Sequence, residues 1–216
     1  MMKKICILFF TIVMLIFICS CVTTKTSKVT EYNTRLNNQL IVAVIEVKNK
    51  TKYGERRLSD SAADILVTEM SRSRSFILVE REKIDQILEE LEFQMSDLSD
   101  DTTAAQLGKM LNCQYMISGA ITNFGVKTEG KDLIIAQQKI QKVNVEVDLK
   151  IIKVETAQIV YSAYGQGTAE KTVDNVLGMG GSASYDESLA GEGLRAAISQ
   201  AVIDMVDFFK SEEEKE

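Results

Sequence analysis

The sequence predicts an α/β fold: a compact, three-layer-like domain in which a mixed sheet is packed by helices. Three stretches predict it. In residues 76–91, FILVEREKIDQILEEL, the apolar run Phe76, Ile77, Leu78 and Val79 reads as a strand buried on both faces. After the polar break Glu80-Arg81-Glu82, residues Ile84, Ile87, Leu88 and Leu91 recur at i, i+3, i+4 and i+7, the stripe of an amphipathic helix. Residues 40–47, LIVAVIEV, repeat the doubly buried strand. Residues 143–151 instead alternate Val143, Val145, Val147, Leu149 and Ile151 with Asn144, Glu146, Asp148 and Lys150, a strand with one wet face, as antiparallel pairing produces.

In chain order, residues 1–20 stand apart from this domain. Lys3 and Lys4 precede an apolar run over residues 5–18, shorter than the roughly 20 residues that cross a bilayer as a helix, so it reads as a signal peptide. Ile18-Cys19-Ser20-Cys21 then resembles a bacterial lipobox, with cleavage between Ser20 and Cys21 and lipid on Cys21. Acyl chains hold such a protein to a membrane at about 0.8 kcal/mol per buried CH₂. Val22 after the lipidated cysteine implies the outer membrane, because an Asp there is the inner-membrane retention signal.

Residues 21–39 form the lipidated N-terminus and a polar tether, residues 40–210 a single domain, and residues 211–216 an acidic tail. Within the domain, residues 48–57 are a polar loop with a turn signal at Tyr53-Gly54. Leu58, Ala62, Ile65, Leu66 and Met70 share a helical face, with Ser59, Asp60 and Ser61 at hand for the first turn. After an acidic break, Ala104, Leu107, Gly108 and Leu111 mark a short helix, in which Gly108 permits close approach to the sheet. Residues 115–124 form a strand. Glu155-Thr156-Ala157-Gln158 turns the alternating strand back into residues 159–165 as a hairpin. Residues 168–187 show no settled period and contain Gly178, Gly180 and Gly181. Leu194, Ile198, Ala201, Val202, Met205 and Phe209 stripe a closing helix, and Glu212-Glu213-Glu214 place negative charge at its C-terminus, where the dipole disfavours it and fraying is expected.

Composition excludes several chemistries. The 216 residues hold no histidine, which removes Ser-His-Asp and Cys-His catalysis and histidine metal sites. Of four cysteines, Cys6 and Cys19 leave with the signal and Cys21 is modified, so Cys113 remains alone, a small buried hydrophobe without a disulfide partner. Loss of Lys3 and Lys4 lowers the 25 basic residues to 23 against 31 acidic, a balance of −8 that argues against nucleic acid as a partner. Gly125 to Lys131 nearly spell a phosphate-binding loop, but the eighth position is Asp132, not the hydroxyl that holds Mg²⁺, and extended sequence follows instead of a helix. Gly165-Gln-Gly167 lacks the third glycine of a dinucleotide fingerprint. Glu80, Glu82, Asp85 and Glu89 lie at helix spacing beside an apolar stripe and read as a solvated face. No catalytic, cofactor or metal residue is expected, and the protein is expected not to be an enzyme.

Five stretches together resemble the CsgG family, the curli production assembly/transport lipoproteins. They are Ile41-Val-Ala-Val-Ile-Glu-Val-Lys-Asn49; Leu58-Ser-Asp60 with Leu66-Val-Thr-Glu-Met70; Phe76-Ile-Leu-Val-Glu-Arg81 with Ile84-Asp-Gln-Ile-Leu-Glu-Glu90; Ala104-Ala-Gln-Leu-Gly-Lys-Met-Leu111 with Tyr115-Met-Ile-Ser-Gly119; and Val147-Asp-Leu-Lys-Ile-Ile-Lys-Val154, Glu155-Thr156 and Ile159-Val-Tyr161. The resemblance implies a periplasmic α/β domain and a homo-oligomer with envelope or secreted protein partners. In channel-forming members it implies a ring whose subunits add β-hairpins to a shared outer-membrane barrel for export of fibre subunits. Such hairpins would come from residues 122–142 and 164–188, where Phe124, Val126 and Thr128 alternate with Gly125, Lys127 and Glu129. The loop at residues 48–57 departs from the family's pore-narrowing pattern, with Tyr53 its one aromatic. The alternative is a soluble periplasmic adaptor that activates an envelope machine such as a peptidoglycan synthase.

Overall fold

The computed structural model describes residues 32, 36–90, 101–132, 136–176 and 187–215. The expected signal peptide, Ser20, Cys21 and the glycines at 178, 180 and 181 lie outside them. The elements are β1 (Leu40–Asn49), α1 (Glu55–Ser73), β2 (Phe76–Leu78), α2 (Arg81–Glu90), α3 (Asp101–Met110), β3 (Tyr115–Asp132), β4 (Ala136–Lys153), β5 (Gln158–Val176) and α4 (Glu187–Glu213).

One mixed sheet has the order β2-β1-β3-β4-β5, with α1 and α4 against one face and α2 and α3 against the other around Ala43, Ile45, Met116 and Ile152. β1 runs parallel to β2 and β3, and β3, β4 and β5 run antiparallel. The period of two splits β1 between two cores: Val42 and Val44 face α1 and α4, whereas Ala43 and Ile45 meet Ile84 and Leu88 of α2 and Leu107 of α3, and a register irregularity between Val44 and Val47 returns Val47 to the first core. This is the predicted α/β class with a mixed sheet and helical layers.

Several elements differ from expectation. β2 is a three-residue edge strand, so only one of its faces is covered: Phe76 packs on Phe209, but Ile77 is 48% exposed. α2 packs through Ile84 and Leu88 on Ala43 and Ile45 of the neighbouring strand. α1 starts a turn earlier than the sequence indicated, with Gly54 as its left-handed cap at φ 71°. Ser59, expected to cap the helix, instead accepts the Asn49 backbone N–H at 3.0 Å. Gly108 performs as expected: a Cβ there would lie 2.5 Å from Val154 Cγ2 and 2.8 Å from Met116 Sδ. Cys113 is buried, and burial pushes its thiol up to about 11.

The larger difference is at the far end of the sheet. β3 continues to Asp132, β4 begins at Ala136, and β5 extends unbroken to Val176. Register holds from Tyr115↔Lys153 out to Asp132↔Gln137, and from Lys153↔Gln158 out to Ala136↔Val176, with one irregularity in each ladder. β1 stops at Asn49, opposite Ile121, so the three strands run on past it as an antiparallel arm. The first expected hairpin is thus the β3–β4 arm. Residues 164–176 of the second are a single strand on β4, not the outgoing half of a separate hairpin. Their thin apolar pattern does not prevent this, because the backbone ladder supplies the pairing, and Tyr164, Gln166, Thr168, Glu170 and Thr172 are exposed.

α4 closes the opposite side of β4 and β5 at backbone contact. Gly165 and Gly167 lie under the helix, where Gly193, Ala197 and Ala201 present no bulk. The acidic end expected to fray stays helical through Glu213, because Glu213 has a partner: its Oε2 accepts the Asn37 N–H at 3.1 Å and its Oε1 the Asn38 N–H at 3.2 Å.

Candidate interaction surfaces

The tether meets the domain at a buried carboxylate. Glu69, on α1, has no exposed side-chain surface. Its Oε2 accepts the Tyr32 hydroxyl at 2.9 Å, both oxygens accept Arg72 Nη1 at 3.0 Å, and Oε1 accepts Arg195 Nη1 of α4 at 2.5 Å. Burial by itself would raise the Glu69 carboxyl, but the bonds from Arg195 and Tyr32 and the charge of Arg72 outweigh it and hold the group below its ordinary value. Burial and the bond to Glu69 raise Tyr32. Four residues on, Leu36 is buried and its N–H donates to Ser75 Oγ at 3.3 Å, and Gln39 Nε2 donates to the Arg74 carbonyl at 3.0 Å. One ion cluster therefore joins α1, α4 and the segment leading to Cys21.

The loop between β1 and α1 is internally braced. Asn49 Oδ1 accepts from Thr51 N at 2.9 Å and Thr51 Oγ1 at 2.7 Å, while Asn49 Nδ2 donates to the Tyr53 carbonyl at 2.5 Å. An Asx-type brace of this kind holds a loop without help from the sheet. Tyr53 remains about half exposed, with its ring 5.7 Å from that of Phe124.

Beyond this loop the arm presents two different faces. Phe124, Val143 and Val145 are buried against Ala169 and α4. The alternation of Phe124 and Val126 that the sequence offered as a lipid-facing pattern is thus part of the core. The opposite face carries Lys127, Lys142, Asn144, Glu146, Asp148, Tyr164, Gln166, Thr168 and Glu170. Lys142 Nζ lies 2.5 Å from Glu170 Oε1, an exposed cross-strand pair that solvent screens. Among the described residues the outer edge of β5 has no strand beside it, and neither does the outer edge of β3 beyond Ile121. Asp204 of α4 covers one point of the β5 edge, accepting the Tyr164 N–H at 3.4 Å and the Tyr161 hydroxyl at 2.9 Å.

The two glycine-rich decoys have structural roles. Gly125 to Asp132 belong to β3 and pair residue by residue with β4, so this stretch is strand and not a phosphate-cradling loop. Gly165 and Gly167 admit α4. Among the described residues no group of three or more His, Cys, Asp or Glu side chains is placed to hold a metal, and no helix is long and apolar enough to cross a membrane. Glu80, Glu82, Asp85 and Glu89 lie on exposed α2 or just before it, as expected of a solvated face. The Glu69 cluster was not anticipated from the sequence, although Glu69 falls seven residues after Ala62 and three after Leu66, on the apolar stripe of its own helix.

Fold and surfaces together define a mixed-sheet α/β module built to present strand edges, a braced loop and a docked tether. The chain belongs to the CsgG family: the family model described as curli production assembly/transport component CsgG matches residues 23–214. The Neisseria meningitidis serogroup B protein NMB1126/NMB1164, which carries a lipoprotein designation, is 28% identical over 193 residues, 84% of this chain and 82% of that one. Among solved structures, lipoprotein GNA1162 from Neisseria meningitidis matches at 8% identity and a TM-score of 0.46, over 82% of this chain and 99% of its own. The PelC dodecamer from Paraburkholderia phytofirmans matches at 20% identity and a TM-score of 0.42, over 77% and 92%. The LpoB C-terminal domain from Escherichia coli matches at 15% identity and a TM-score of 0.44, over 65% and 86%.

Proposed function

We propose that this protein is a non-enzymatic assembly component of the bacterial cell envelope, a lipoprotein held at the outer membrane through Cys21 and facing the periplasm. It works by binding envelope or secreted proteins and by self-association. The observation that carries this reading is the arm: its apolar face is sealed by α4 and its other face is polar from Lys127 to Glu170. A membrane-spanning strand needs an outward apolar band roughly 25 Å tall, whereas Phe124, Val143 and Val145 are buried inward and the outward positions Lys127, Lys142, Asn144, Glu146 and Asp148 are polar. This favours an adaptor that acts on an envelope machine such as a peptidoglycan synthase.

A second reading, a subunit of an export pore for curli-like surface material, rests on the family description and on the unpaired edges of β3 and β5, which offer sites for strand pairing between copies. In either case the reach is short. The docking of Tyr32 on Glu69 leaves eleven peptide steps to Cys21, at most about 40 Å at full extension. The anchor is tested by Cys21→Ala: the protein is expected to move from the membrane pellet to the soluble fraction of a cell lysate. Retention of the variant in the pellet contradicts the anchor.

A further inference from the structure

We propose that the cavity between α1, the end of β2 and the start of α2 is a docking site for an extended segment of a partner protein that carries an apolar residue followed by a basic one. This deepens the binding reading above and rests on it.

The cavity has a volume of about 640 Å³. Val44, Ala63, Leu78 and Ile84 give it an apolar lining, and Val67 of α1 reaches into it while 40% exposed. It opens beside the free edge of the sheet. Among the described residues β2 pairs with β1 alone, so its outer edge offers backbone groups with no ladder partner there. The chain stays extended past Leu78, because the Val79 N–H still donates to the Val42 carbonyl at 3.0 Å. Ile77, 48% exposed, stands next to it on that edge. An unpaired strand edge beside an apolar cavity is the arrangement by which an added strand is recognised: main-chain bonds supply affinity and the cavity selects a side chain.

Charge specifies the rest of the occupant. Asp64, Glu80 and Glu82 line the cavity, against the single cation Arg81, which already lies 4.0 Å from Asp85. An acidic segment or a nucleic acid would be repelled there. In an extended segment, side chains two apart point the same way and are spaced about 7 Å. An apolar residue seated among Val44, Leu78 and Ile84 thus brings a basic neighbour two positions away to this carboxylate-rich rim.

The test uses the full chain in detergent and fluorescent nine-residue peptides of alternating Val and Thr. One peptide has Lys two residues after the central Val, a second has Glu at that position, and a third has Pro for the central Val. The Lys peptide is expected to bind saturably, and the Glu and Pro peptides about tenfold more weakly or not at all. Val67→Lys, and Glu80→Lys combined with Glu82→Lys, are expected to weaken the Lys peptide about tenfold, whereas Asp148→Lys on the arm leaves it unchanged. All four substituted positions are surface-accessible, and circular dichroism verifies that each variant is folded. No saturable binding of the Lys peptide, equal binding of the Glu or Pro peptide, or indifference to the cavity variants overturns the proposal. So does a loss of self-association in Val67→Lys without loss of peptide binding, which would give this surface to a second copy. Membrane retention through Cys21 is scored on the same variants and does not depend on peptide binding, so failure here leaves the anchored reading intact.

Discussion

A Gly167→Val chain is expected to lose its cooperative unfolding transition. A Cβ at residue 167 would fall inside the van der Waals envelope of the Gly193 carbonyl oxygen and the Ala197 backbone nitrogen, and one at residue 165 inside that of the Ala197 carbonyl oxygen. Both obstacles are helix backbone, which has no rotamer to change. Relief would require α4 to lift from β5, uncovering the core around Val143, Val145, Ala197 and Ala201. Ordinary overpacking costs about 1–3 kcal/mol because side chains yield, and here the loss should exceed about 4 kcal/mol. Domains of this kind hold only about 5–15 kcal/mol in total, so a urea titration should show a broad, non-cooperative transition or none. Gly191→Ala is the matched control. It lies in the same helix, a Cβ there meets nothing within 4 Å, and the helix gains about 0.5–1 kcal/mol.

The second large effect is at Glu69. Replacing it with Gln keeps the shape but removes the charge that Arg72, Arg195 and Tyr32 converge on. Breaking a fully buried pair costs about 3–5 kcal/mol, but the two arginine side chains are 38% and 47% exposed and water can take over part of their partnership. A loss of about 2–3 kcal/mol at neutral pH is expected. The direction with pH follows from the lowered carboxyl. A carboxyl lower in the folded chain than in the unfolded one contributes stability above the unfolded value, and that contribution disappears as pH falls through the folded value. The gap between wild type and Glu69→Gln should therefore be widest near pH 7 and close in acid, which urea midpoints at pH 7, 5 and 3 will show. Tyr32→Phe removes one bond to a charged acceptor, worth about 1.5–3 kcal/mol at most, and should mainly free the tether. Faster tryptic cleavage between Tyr32 and Leu36 reads that release.

Much of the fold was legible because its strongest signals are periodic. The run LIVAVIEV has apolar side chains on both faces because β1 lies mid-sheet between helical layers, and the strict alternation of residues 143–151 is β4 with α4 on one side and water on the other. The arm was legible only as far as its apolar residues reach. Thr168, Glu170 and Thr172 carry no hydrophobic signature, and they are strand because β4 pairs with them. Gly165-Gln-Gly167 failed as a nucleotide fingerprint, yet in an alternating strand two glycines two apart share one face, the local mark of a close-packed helix. The Glu69 cluster joins residues up to 163 positions apart in sequence, from Tyr32 to Arg195, and no local pattern encodes that. Ile77 reads as core by composition and is exposed because β2 is an edge strand, which depends on strand order and not on the residues of β2.

The proposed function requires the arm of β3, β4 and β5 to be a water-facing sheet packed on α4. It is tested most directly by extracting the full-length protein in detergent, measuring its particle size and recording current after reconstitution into planar bilayers. Silent bilayers are expected whatever the particle size, because Phe124, Val143 and Val145 of the arm are committed to the core. Stable stepwise conductance that follows the protein through purification and is lost on Val145→Asp would contradict it.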